Sequence, residues 1–146
     1  MEELAQAIQA QTAVAVSNGS FNPDTKRATY EAQLENKQRS SQIKITQYVP
    51  GKQEEHSAYR AELAGIAASC IATKLICRTY NIRTGKITIC CDGKSALDRA
   101  IGTWDVRVSD KHHDLLQLIH EVQTDLTESV LFTPYWVKGH LDSKIP

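Results

Sequence analysis

In the first third of the chain, apolar positions recur every second residue. Residues 12–17 (TAVAVS) form a short β-like run that stops at Asn18-Gly19-Ser20-Phe21, where Asn-Gly signals a turn that residues 22–26 continue. Residues 27–36 alternate cleanly, with Ala28, Tyr30, Ala32 and Leu34 on one face and Thr29, Glu31 and Gln33 on the other. Residues 42–49 alternate again through Ile43, Ile45 and Val49 and end at Pro50-Gly51. Three such runs joined by short polar turns predict an antiparallel meander.

The period then changes. From Ser57, a plausible N-cap, Leu63, Ile66, Ala67, Cys70, Ile71 and Leu75 recur at three and four residues, predicting one long helix to about Tyr80. A buried strand over 87–91 follows a turn at 83–86 and leads into a helix over 95–101. Residues 102–111 form a loop carrying Trp104. His113-Asp114 opens an amphipathic helix with Leu115, Leu118, Ile119, Val122 and Leu126 on its core side, and 129–136 is the last strand. Residues 1–11 have helix-forming composition but little to bury and read as a lead-in segment. The order β-β-β-α-β-α-α-β makes the fourth strand parallel to the first, by the right-handed crossover rule.

Bulk properties narrow the partners. A length of 146 residues and 41% hydrophobic content suit a single domain with one core. Seventeen basic and seventeen acidic side chains cancel, so nucleic acid would have to be held by a local patch or within a larger assembly. Cys70, Cys77, Cys90 and Cys91 form no zinc pattern and read as small buried hydrophobes in a reducing compartment, so an intracellular setting, cytoplasmic or nuclear, is expected without the address being fixed. Cys90 and Cys91, adjacent in a strand, point to opposite faces. No apolar run is long enough for a membrane span, and no signal-peptide pattern opens the chain.

Three polar positions converge in this topology. Asn18 ends the first strand, Glu62 lies early in the crossover helix, and Asp92 follows the fourth strand at Asp92-Gly93-Lys94-Ser95. Ligands in open α/β sheets sit outside the carboxyl ends of strands. Carboxylates gathered there suit Mg²⁺, and two such ions about 4 Å apart can hold a nucleophilic water and a phosphodiester leaving oxygen. The plainer readings are that Asp92 or Ser95 caps the next helix and that Glu62 is an early-helix acid favoured by the dipole.

Val14-Ala-Val-Ser-Asn-Gly-Ser20, Tyr59-Arg-Ala-Glu-Leu-Ala-Gly65, Cys91-Asp-Gly-Lys-Ser95 and Trp136-Val-Lys-Gly-His140 resemble, in order, the motifs of the type 1 ribonuclease H domain, in the flavour of retroelement reverse transcriptases. The resemblance spans residues 12–142. It implies an α/β fold with a five-stranded mixed sheet and helices on both faces. It implies metal-dependent endonucleolytic cleavage of RNA in an RNA–DNA hybrid, with two Mg²⁺ ions, or Mn²⁺ as substitute. Glu62 and Asp92 fall on two of the family's metal-binding acids, and His140 on its mobile histidine. Lys94, Ser95 and Lys138 would contact the nucleic-acid backbone.

Two departures accompany the resemblance. Asn18 stands where the family carries an aspartate that bridges both ions, so at least one metal site is expected to weaken. The family's fourth acid lies on a final helix, and this chain stops at Pro146 before any such helix, with Asp142 in a different element. The domain over 12–146 is therefore expected to be truncated, with the exposed sheet face covered by a neighbouring domain or chain. The competing reading is a scaffold or nucleic-acid-binding remnant of the same fold that does not cleave. An integrase-like transferase is a third, disfavoured by the Gly-His loop and the Tyr-Arg-Ala-Glu-Leu helix.

The other candidates have plainer expectations. His112 and His113 are adjacent at a helix start and diverge, which argues against a metal pair. His56 and His120 read as solvated, and Trp104 and Trp136 as core or rim packing. Lys52, Lys94, Arg99, Arg107, Lys111 and Lys138 could track phosphates but also fit ordinary soluble surface.

Overall fold

The computed structural model describes residues 1–102, 106–126 and 128–138. Its elements are α1 (Glu2–Gln9), β1 (Ala13–Asn22), β2 (Arg27–Glu35), β3 (Gln42–Tyr48), α2 (Ala58–Thr79), β4 (Gly85–Cys91), α3 (Lys94–Ala100), α4 (His113–Leu126) and β5 (Val130–Trp136). The five strands form one sheet in the order β3-β2-β1-β4-β5. The first three pair antiparallel, while β1–β4 and β4–β5 pair parallel. Pro134 sits in β5, an edge strand, where its missing N–H can face outward. No described helix is long and apolar enough to cross a membrane.

The core lies between α2 and the sheet face carrying Ala13, Ala15, Ala28, Leu34, Ile87, Ile89 and Cys91. Buried side chains of α1, α2, α3 and α4 all join it, among them Ile8, Ile66, Leu97 and Ile119. Cys90 and Val137 form a small second cluster with the half-buried Val14 and Val16, so the two neighbouring cysteines do face opposite ways. Burial pushes the thiols of Cys70, Cys90 and Cys91 up to about 12 and that of Cys77 to about 11, which leaves them protonated and unreactive.

Four local expectations need correction. β1 does not stop at Asn18: it continues to Asn22 and pairs with β2 as far as Asn22↔Arg27. The turn sits instead at 23–26, where the Asn22 side chain accepts from the backbone N–H groups of Asp24 and Thr25. Gly19 is in the strand because α2 crosses there; a Cβ on it would lie 2.6 Å from the Glu62 backbone nitrogen. The opening segment does have something to bury: Leu4, Ala5, Ala7 and Ile8 of α1 are all in the core. Leu75 is 61% exposed on the outer side of α2, and Leu118 is at the rim, its expected place taken by Leu116.

Arg60 ties three segments together. Ser57 caps α2 by accepting from the Arg60 N–H at 3.0 Å, which fixes the first turn. The Arg60 guanidinium, fully buried, donates to Pro50 O after β3 and to both oxygens of Asp114 on α4, at 2.9 and 2.6 Å. It also donates to His112 Nδ1 at 3.1 Å, so this imidazole accepts at Nδ1 and carries its proton on Nε2. Burial, and then the Arg60 charge, hold the His112 pKa below its usual value. His112 is thus a packed neighbour of Arg60 and Tyr59, while His113 points elsewhere, its Nδ1 on Arg107 O. His56 is half-buried, with both ring nitrogens shielded from solvent, rather than solvated.

Asp114→Ala leaves a buried cation without its anion. It should cost about 2–3 kcal/mol in urea unfolding, the lower part of the range for a broken buried pair because Asp114 itself is well hydrated. Asp114 is held below the usual carboxylate range, first by the Arg60 hydrogen bond. Its contribution is therefore present above the unfolded carboxylate pKa and disappears as pH falls through the lowered folded value. The difference between native and variant should shrink only under strongly acid conditions.

Candidate active site

The site is assembled by a close approach of helix to sheet. α2 presents Ala61, Gly65 and Ser69 to β1, and β1 answers with Ser17 and Gly19. Ser69 Oγ donates to Gly65 O at 3.0 Å and lies 3.1 Å from Ser17 Oγ, so the two hydroxyls satisfy each other inside the contact. With the backbones this near, Glu62 reaches the carboxyl end of β4. There Gly93 makes room for it: a Cβ at Gly93 would overlap the Glu62 carboxylate.

Asp92 is the first residue past β4 and is half-buried. The parallel ladder ends at Ser17↔Cys91, so Asn18 and Asp92 occupy the next position on adjacent strands. Strand alternation turns Asn18 away from the face that carries Ser17, whereas Asp92 has left the strand and lies near enough to Glu62 to act on its charge. The capping reading of Asp92 and Ser95 does not hold. Gly93 is the N-cap of α3, with no side-chain cap hydrogen bond, and α3 begins at Lys94. The side chains of Asn18, Glu62 and Asp92 make no hydrogen bonds among the described residues.

Electrostatics agree with that geometry. Burial, and secondarily the Asp92 charge, push the Glu62 carboxyl above its usual range. Two carboxylates and an amide oxygen make an oxygen-only donor set, which fits a hard divalent cation. It falls short of a complete acidic cluster, because among the described residues no group of three or more His, Cys, Asp or Glu is placed to hold a metal.

The remaining expected site residues divide. Lys94 and Ser95 are exposed beside Asp92, but the Lys94 ammonium is paired with Asp98 at 2.6 Å. Arg99 is likewise paired with Asp110 at 2.6 Å, so two members of the suggested basic patch are already matched by acids. Lys138 is exposed just past β5. His140, Asp142 and Trp104 lie outside the described residues. Trp136 is not core packing: it is 43% exposed, and its indole N–H donates to the Asp92 carbonyl at 3.1 Å.

Sequence reasoning missed two contributors, Gly93 and Trp136. A glycine after a strand signals only a change of direction, whereas the role of Gly93 is to make space. The Trp136 contact depends on the Cys91↔Trp136 pairing, which residue patterns do not encode.

No family model and no curated protein matches the sequence. Solved structures do. The N-terminal RNase H domain of Rv2228c from Mycobacterium tuberculosis, determined as a maltose-binding-protein fusion, aligns over 90% of this chain and 85% of its own, with a TM-score of 0.59 and 17% identity. LC11-RNase H1 in complex with an RNA/DNA hybrid aligns over 85% of each chain, with a TM-score of 0.63 and 7% identity. RNase H1 from the halophilic archaeon Halobacterium salinarum NRC-1 aligns over 90% of this chain and 89% of its own, at 0.59 and 13%. The fold is that of ribonuclease H. The expected mixed sheet, with three antiparallel strands followed by parallel ones, is present.

Two substitutions test the carboxylate pair. Gly93→Ala displaces only the flexible end of Glu62, so the fold should persist by circular dichroism while divalent-cation binding measured by calorimetry weakens about 10-fold. Glu62→Gln removes a carboxylate whose raised pKa means that the folded chain holds a proton over a window where the unfolded chain has released it. That group subtracts stability as pH rises through the window, and acidification restores it. Thermal melts of Glu62→Gln should therefore run roughly 1–3 °C above the native chain at pH 7, a small gain because the carboxylate is partly solvated, and should converge with it on acidification.

Proposed function

We propose that this chain is a ribonuclease H-type nuclease domain that hydrolyses the RNA strand of RNA–DNA hybrids, and that it is of retroelement origin. The observation that carries the reading is the Glu62 carboxylate, seated against Gly93 and electrostatically coupled to Asp92 at the carboxyl end of β4. The ordered motifs around Asn18, Glu62, Asp92 and His140 supply the retroelement part. The solved neighbour bound to a hybrid supports the substrate class.

In this reading Glu62 and Asp92 hold a divalent cation, with the Asn18 amide oxygen as a neutral third donor. When bound, such a cation would supply Lewis acidity to a water and offset phosphate charge. Asp92 and Glu62 would hold that cation through their carboxylate oxygens and, as acceptors, would help to orient an attacking water. Lys94, Ser95 and Lys138 line the approach of the strand, and a nearby hydroxyl can sense the 2′-OH that marks RNA. His140 serves as the proton-handling accessory, since an imidazole can both give and take a proton.

A second reading has its own observation. With Asn18 in place, the described residues lack a third carboxylate at the site, which favours a scaffold that binds hybrid without cutting it. A labelled RNA–DNA hybrid incubated with Mg²⁺, and separately with Mn²⁺, distinguishes the two. The nuclease reading expects cleavage by the native chain, an increase of about 10²-fold in Asn18→Asp, and loss in Asp92→Asn. Hybrid binding without cleavage by either the native chain or Asn18→Asp establishes the scaffold.

A further inference from the structure

We infer that Trp136 is a positioning residue for Asp92, acting through its indole N–H. This deepens the proposed nuclease reading by naming what holds one of its carboxylates, although the contact itself stands apart from that reading.

The β4–β5 ladder closes with paired residues Cys91 and Trp136, after which the Val137 N–H donates to Cys91 O at 3.0 Å. The next carbonyl, that of Asp92, has left the strand. The Trp136 indole N–H reaches it at 3.1 Å and adds one more rung from a side chain. The carbonyl before Asp92, that of Cys91, is held by the Val137 N–H and Asp92's own carbonyl by the Trp136 indole, so the peptide group on each side of Asp92 is tied to the end of β5. With its main chain fixed on both sides, the Asp92 side chain leaves the turn in one direction, near enough to Glu62 for its charge to act there.

The exposure of the ring argues against a packing role alone. Trp136 is 43% exposed, outside both hydrophobic clusters, with the Lys94 ammonium 5.9 Å from its ring. A large aromatic kept half in solvent contributes little burial there. Its polar atom makes the directed contact, as expected where one end of a Trp is wet and the other is bonded. Groups that orient metal-binding side chains affect affinity strongly even when they do not touch the ion.

The test compares Trp136→Phe, which keeps a ring and deletes the donor, with Trp136→Ala and the native chain. Two measurements are made: amide hydrogen exchange at Gly93 by NMR, and the Mn²⁺ dissociation constant by calorimetry. The positioning role expects native-like melting for Phe, Gly93 exchange faster by about 10-fold, and Mn²⁺ binding about 10-fold weaker, with Ala no worse than Phe in Mn²⁺ affinity. Phe matching the native chain in both measurements, with only Ala impaired, would make Trp136 a packing residue and overturn the inference. Failure of the native chain to bind Mn²⁺ defeats the cation-site reading but not this one. Gly93 exchange then decides: acceleration in Phe supports positioning, and unchanged exchange overturns it.

Discussion

The closeness of α2 to β1 is the constraint from which the rest of the structure follows. Helix and strand meet through glycine, alanine and serine, and no larger side chain fits: a Cβ on Gly19 would strike the α2 backbone, and one on Gly65 would crowd Ser17. Small residues give up buried apolar area, and the hydroxyls of Ser17 and Ser69 would be costly if left unpaired. Their mutual hydrogen bond removes that cost. In return the helix is set at a fixed depth over the sheet, and Glu62 is carried to the end of β4.

Arg60, two residues earlier, fixes the helix along its own axis. Its buried guanidinium is tied to the chain after β3 and to the start of α4, so sliding α2 by even part of a turn would break four hydrogen bonds around one charge. Depth comes from the small-residue seam and axial position from the arginine. A carboxylate pair is sensitive to both, because the mutual repulsion of the acids varies steeply with separation at short range.

Much of this was legible in the residues. Alternation revealed β2 and β3, the helical period revealed α2, and the crossover rule placed β4 beside β1. That same topology brings the early part of α2 to the end of β4, where Glu62 comes near Asp92. What sequence did not show was decided by tertiary contacts. Asn18-Gly19 looks like a turn because glycine is usually flexible, whereas here it is small, and space for a helix outweighed local turn preference. Leu75 fits the apolar stripe by spacing, but the far end of α2 overhangs the core. The opening helix seemed to have little to bury because two large apolar residues among polar ones make a weak signal. Trp136 reads as core or rim packing because aromatic side chains usually pack, and its indole N–H contact depends on strand pairing.

Pro134 has a consequence for assembly. In β5 it stands on the outer edge of the sheet, where a neighbouring chain would need a donor to continue the ladder. Proline has none, so a strand added there loses a hydrogen bond midway and meets the pyrrolidine ring instead. The edge nearest the carboxylates is thereby guarded against sheet-to-sheet self-association. The end of β5 can keep Tyr135 and Trp136 in water without inviting a second copy to pair alongside them.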